Sequence, residues 1–185
     1  MVASDAAADD GFGYSVAIDG DTVVIGAYNA GTGGAVYVLR ASDGAELAKL
    51  TASDAAASDY FGVSVAIAGG TIVVGAPYDD DAGTSSGSVY SSGSVYVFEK
   101  STWGTYDQVA KLTAADAATW DSFGVSVAID GGTIVVGAHG DDDGGSGSGS
   151  AYVFDANALP ALGSDSATRV GGSLLALLVA ARLAL

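Results

Sequence analysis

The chain has 185 residues, of which 49% are hydrophobic, enough for one domain with a sizeable core. Its net charge is −16, from 20 Asp and 2 Glu against 6 Lys and Arg, a balance that repels phosphate backbones and argues against direct nucleic-acid binding. With no cysteine, disulfides and thiolate metal sites are excluded.

Asp in preference to Glu suits tight turns, because Asp bonds its own backbone. Adaptation to salty surroundings, where screening relieves self-repulsion, is a second reading of the same acidity. Val, Ile, Ala and Tyr dominate the apolar residues, Gly is abundant at 28 and Pro occurs twice, a mixture that predicts short strands joined by turns.

Residues 1–10 show neither a basic start nor an apolar stretch, so no secretory signal is visible in them. A block then occurs three times: Phe12-Gly13 to Gly26-Ala27, Phe61-Gly62 to Gly75-Ala76, and Phe123-Gly124 to Gly137-Ala138, its two motifs always 14 positions apart. Fixed inner spacing with variable outer spacing predicts a folded unit joined by elastic loops. Aligning Phe12 on Phe61 puts Val2-Ala3 on Thr51-Ala52, so the chain is expected to begin inside a repeat.

Within each block an alternating segment such as Val63-Ser64-Val65-Ala66-Ile67 precedes a β-branched run such as Thr71-Ile72-Val73-Val74. Between them lie Asp19-Gly20-Asp21, Ala68-Gly69-Gly70 and Asp130-Gly131-Gly132, which predict hairpin turns. A third strand is predicted at Val36-Tyr37-Val38, Val95-Tyr96-Val97 and Ala151-Tyr152-Val153, and a fourth at 48–52 and 110–114. Four strands in a unit of about 50 to 60 residues is the measure of a propeller blade, which buries its faces only by stacking on neighbours. The loop after Gly-Ala is the variable one, shortest in the first copy and longest in the second, and variable loops of such folds gather on one face.

These residues resemble the FG-GAP repeat of the integrin α-subunit propeller and its microbial and algal relatives, with the motif intact at Phe61-Gly62 and Gly75-Ala76-Pro77. Tyr28 and His139 replace the Pro in the other copies. The resemblance covers about residues 1–155 and implies a seven-bladed β-propeller used outside the cell for adhesion or ligand binding, often with calcium held in a loop just before Gly-Ala-Pro. Its calcium loop is similar to Asp-x-Asp-x-Asp-Gly and needs several oxygens at alternate positions. Here the corresponding place holds only a bare hairpin turn, so that site is expected to be absent.

Other constellations carry a functional and a plain reading. Asp79-Asp80-Asp81 and Asp141-Asp142-Asp143 follow Gly-Ala at equivalent places and read as a candidate calcium site or as solvated acidic turns. Gly83-Thr84-Ser85-Ser86-Gly87 has the form of a hydrolase nucleophile elbow but lacks the flanking strand and helix, and His139 is the sole histidine. No catalytic residue and no required cofactor are therefore assigned. Trp103 and Trp120 read as packing between blades, with a ligand platform as the alternative.

After Pro160 a small-residue spacer leads to an apolar tail ending at Leu185. The tail reads as a lipid-anchor signal, as a helix capping the last blade, or as an artefact of the reading frame.

The expectation is an all-β, partial β-propeller of about three four-stranded antiparallel blades with a short apolar C-terminal helix. Its repeats are 1–47, 48–109 and 110–158, followed by a linker and tail at 159–185. The expected function is a non-catalytic binding or adhesion module, cell-surface or extracellular and tethered to the membrane by its tail. A structural repeat of a larger protein and a hydrolase-associated propeller are the alternatives. A protein or glycan ligand is expected, together with self-association through open blade edges.

Overall fold

The computed structural model describes residues 1–80, 92–159 and 168–169. Three four-stranded antiparallel sheets follow one another along the chain. The first holds β1 (Ser15–Asp19), β2 (Thr22–Ala27), β3 (Ala35–Arg40) and β4 (Glu46–Leu50). The second holds β5 (Ser64–Ala68), β6 (Thr71–Ala76), β7 (Ser94–Lys100) and β8 (Tyr106–Leu112). The third holds β9 (Phe123–Asp130), β10 (Thr133–Ala138), β11 (Ser150–Asp155) and β12 (Thr168–Arg169). This is a partial β-propeller of three blades.

The blades are offset from the repeats of the sequence. β4 pairs with β3, Tyr37 opposite Lys49, and β8 pairs with β7, so each fourth strand closes the sheet before it and the blades cut across the divisions at 47/48 and 109/110. The third blade takes its fourth strand, β12, from inside the span read as linker and tail. Periodicity could not reveal a two-residue strand. The expected apolar C-terminal helix lies outside the described residues. Among those described, no helix is long and apolar enough to cross a membrane.

Burial follows from stacking. β6, in the middle blade, is buried along almost its whole length because both faces are covered, whereas β10 alternates because one face is open. Val24, Val36 and Val38 of the first blade share a core with Phe61, Ile72, Val74 and Tyr96 of the second. Val73, Val95 and Val97 of the second share another with Phe123, Ile134, Val136 and Tyr152 of the third. Each such Val or Ile contributes about 1.5 to 3 kcal/mol by leaving water.

The repeated motifs meet across these joints. The Ser15 hydroxyl donates to the Gly62 carbonyl, and the Ser64 hydroxyl to the Gly124 carbonyl, both at 2.7 Å. Gly26 and Gly75 must be glycine because a Cβ there would lie 2.0 and 1.9 Å from those same carbonyl oxygens. Phe-Gly of one blade thus seats on Gly-Ala of the blade before it. The Phe rings wedge against the third strand of their own blade, Phe61 against Tyr96 and Phe123 against Tyr152.

The tryptophan expectation is corrected. Trp103 stands on the β7–β8 turn with 91% exposure, and Trp120, before β9, is also exposed. Neither is buried between blades, since the joints are already filled by the Phe wedge and the valines around it.

Candidate functional site

The loops after Gly-Ala and the segments before each Phe-Gly lie at the same end of the sheets, because β1 and β2 of each blade form a hairpin. Four tyrosines gather there across the first two blades. Tyr14 precedes β1, Tyr28 follows β2, Tyr60 precedes β5 and Tyr78 follows β6. Their rings form a continuous ladder, with centroids 4.7 Å apart for Tyr14 and Tyr28, 5.3 Å for Tyr28 and Tyr60, and 5.0 Å for Tyr60 and Tyr78. Tyr14 and Tyr78 are exposed and the inner pair half-buried.

Tyr60 holds its place in a left-handed conformation, φ 58°. That is an unfavourable backbone for a bulky residue, sustained where surrounding contacts over-determine it. In the third blade the corresponding end carries exposed Trp120, also left-handed at φ 77°, and exposed His139. The sequence reading did not single out the ladder. Its four members sit at different offsets from the motifs, so aligning the repeats does not superimpose them.

The acidic runs divide. Asp79 and Asp141 are buried, whereas Asp80, Asp142 and Asp143 face solvent; Asp81 lies outside the described residues, as do residues 83–87. The Tyr96 hydroxyl donates to Asp79 and to Asp54, and the Tyr152 hydroxyl to Asp141 at 2.6 Å and Asp116 at 2.8 Å. In the first blade Tyr37 donates to Asp5 at 2.6 Å. These partners, Asp5, Asp54 and Asp116, stand seven positions before each Phe, each opening an Asp-Ala-Ala segment.

A lysine completes the arrangement in two blades. Lys111 Nζ lies 2.7 Å from Asp54 and 3.0 Å from Asp79, and Lys49 Nζ 2.5 Å from Asp5. Arg169 occupies, opposite Tyr152, the register position that Lys49 and Lys111 occupy opposite Tyr37 and Tyr96. Burial, with the adjoining carboxylates, pushes all three tyrosine hydroxyls above their ordinary pKa. Burial opposes ionisation of Asp54, but the Lys111 and Tyr96 hydrogen bonds outweigh it and hold its carboxyl below the usual range. Burial raises Asp121, whose carboxylate caps the Ala118 amide at 2.7 Å.

Two places bear on metal binding. In the first hairpin turn, Asp19 accepts the Gly69 amide and Asp21 the Ser42 amide and hydroxyl, so these carboxylates brace neighbouring backbone and do not fit an EF-hand-like set. Asp116, Asp141 and Asp143 bring carboxylate oxygens within 4.8 Å of one another. Calcium takes six to eight oxygens, about twice what three single carboxylate ligands supply.

A family model described as an FG-GAP repeat matches residues 1–39, 44–90 and 106–154. No curated protein matches the chain.

Proposed function

Because the chain belongs to the FG-GAP repeat family, we propose that it is a non-catalytic binding or adhesion module that acts at a cell surface or outside the cell. The observation that carries this reading is the tyrosine ladder, aromatic area left open to solvent beside loops of variable length. Tyrosine offers a rigid apolar face with a polar tip at low conformational cost, the combination favoured in recognition surfaces. Exposed Asp80, two residues after Tyr78, and exposed Asp142 and Asp143 on the corresponding loop of the third blade add negative charge at this end of the sheets, which suits a protein with basic groups or a neutral glycan.

The test is binding of the purified chain to panels of matrix proteins and glycans by interferometry. The double variant Tyr60→Ala, Tyr78→Ala is expected to lose about tenfold or more in affinity, as truncated aromatic anchors do. Ligand binding that this variant leaves unchanged would move the site elsewhere.

No cofactor is required in this proposal. The repeat itself supplies a cation to its carboxylates, Lys49 in the first blade and Lys111 in the second. Millimolar calcium is accordingly expected to leave Tm unchanged, since a bound ion would raise it by mass action. A calcium-dependent rise, abolished by Asp143→Asn, would instead establish a metal site at Asp116, Asp141 and Asp143.

A further inference from the structure

Tyrosine hydroxyls are used in two ways in this fold. Tyr37, Tyr96 and Tyr152 donate to aspartates inside the blades. Tyr28, Tyr60 and Tyr78 donate to no protein acceptor among the described residues, and each keeps an O–H open to solvent. These three stand at the joint of the first and second blades, after β2, before β5 and after β6, so the group is whole whatever adjoins the outer blade faces.

The ring angles narrow what such a surface accepts. Tyr28 and Tyr60 meet at 83° and Tyr60 and Tyr78 at 70°, which leaves a notch at each contact instead of a run of coplanar faces. A sugar ring stacks on a flat face, whereas a pyrrolidine ring is a wedge that enters a notch between aromatic rings. A polyproline II segment also has no internal hydrogen bonds, so each of its carbonyls is free to accept a tyrosine O–H. One turn of that helix, three residues, rises about 9 Å. The steps of 5.3 and 5.0 Å from Tyr28 through Tyr60 to Tyr78 cover a similar length.

Tyr60, the central ring, is held left-handed where the first blade has Gly11 and the third has Ser122, both also left-handed. A bulky residue at that place costs backbone energy, and strain of this kind persists at ligand clamps. The ends of the row are acidic. Asp80 is exposed two residues past Tyr78, and exposed Asp9 lies at the other end, where its carbonyl accepts the side-chain amide of Asn29, the neighbour of Tyr28, at 3.0 Å. Among the described residues no lysine or arginine pairs with either carboxylate.

Resting on the ladder as the binding surface, we propose that its ligand is a proline-rich segment of a partner protein in polyproline II conformation, with lysine or arginine flanking the prolines. Prolines enter the notches on either side of Tyr60. The tyrosine hydroxyls donate to carbonyls of the segment, and the basic flanks face Asp9 and Asp80.

The test is fluorescence anisotropy of a labelled peptide, two Pro-x-x-Pro turns with an arginine at each end, against the full chain. Saturable binding with Kd below about 1 mM is expected. Alanine in place of the prolines is expected to weaken it at least about tenfold, since the wedges and the preformed helix are both lost. Glutamate in place of the arginines is expected to weaken it too, and by less in about 1 M sodium chloride. The variant Tyr60→Ser, Tyr78→Asn carries the residues that Ser122 and Asn29 supply at the same places in the other blades, so its circular dichroism is expected to stay that of the wild type. It is expected to bind the peptide at least about tenfold more weakly.

An alanine peptide that binds as tightly as the proline peptide overturns the proposal, and a glutamate-flanked peptide that does so overturns its basic flanks. Absence of peptide binding at about 1 mM, with a glycan or another protein held by the wild type and lost in the variant, overturns the proline ligand and leaves the ladder as the binding surface. Peptide binding that the variant leaves unchanged overturns both readings, as does a chain that binds nothing through these rings.

Discussion

Tyr37, Tyr96 and Tyr152 occupy the same place in three blades, buried and donating to aspartates. Tyrosinate is disfavoured there by lost solvation and by the neighbouring carboxylates, so the folded-state pKa of each lies above its ordinary value. The unfolded chain releases these protons near pH 10 and the folded chain does not. Stability from this source is complete below about pH 10 and is lost as pH rises beyond it. These three tyrosines are expected to ionise together with loss of the β-sheet dichroism, measured by tyrosinate absorbance in an alkaline titration. Ionisation of all nine tyrosines before any loss of sheet would contradict this. Asp54 works in the opposite direction, since its lowered pKa adds stability above about pH 4 that disappears as pH falls through the folded value.

The strands of a blade are specified by composition, but their joints are specified by single glycines. Gly75 lies on β6 against the Gly124 carbonyl, and that backbone atom cannot retreat without shifting the third blade. Gly75→Ala is expected to destabilise the fold by about 1 to 3 kcal/mol, the usual cost of overpacking, or more if the joint opens. Gly137→Ala, measured in urea, is expected to cost far less because the nearest atom to the added methyl is the movable Ser126 hydroxyl. Equal losses for the two would show that the methyl acts within the blade and not across the joint. The contrast is a property of the element pair, since both glycines sit in the same Val-Val-Gly-Ala sequence.

At the scale of the whole molecule the dominant quantity is the net charge of −16. Folding concentrates that charge. Raising ionic strength from about 0.1 to 1 M shortens the screening length from about 10 to 3 Å, so Tm is expected to rise with sodium chloride. A Tm that falls would show that attractive pairs such as Lys111 with Asp54 and Asp79 outweigh the general repulsion.

Much of the architecture was legible beforehand because it is periodic. The repeated Phe-Gly and Gly-Ala motifs, the alternation in the first strands and the β-branched second strands determined blade type, blade number and the hairpin turns. They did so since each residue there answers to a local rule of turn geometry or sheet packing. What the motifs are for was settled only in three dimensions, where Gly62 proved to rest on Gly26 of another blade. The exposure of Trp103 and the ring contacts of Tyr14, Tyr28, Tyr60 and Tyr78 likewise depend on positions distant in sequence. The burial of Asp79 and Asp141 beside solvated Asp80, Asp142 and Asp143 depends on a tyrosine that arrives from the next strand. By itself the sequence determined the repeating unit. The tertiary structure alone decided which surfaces that unit buries and which it leaves open, because burial is a property of neighbours and not of a segment.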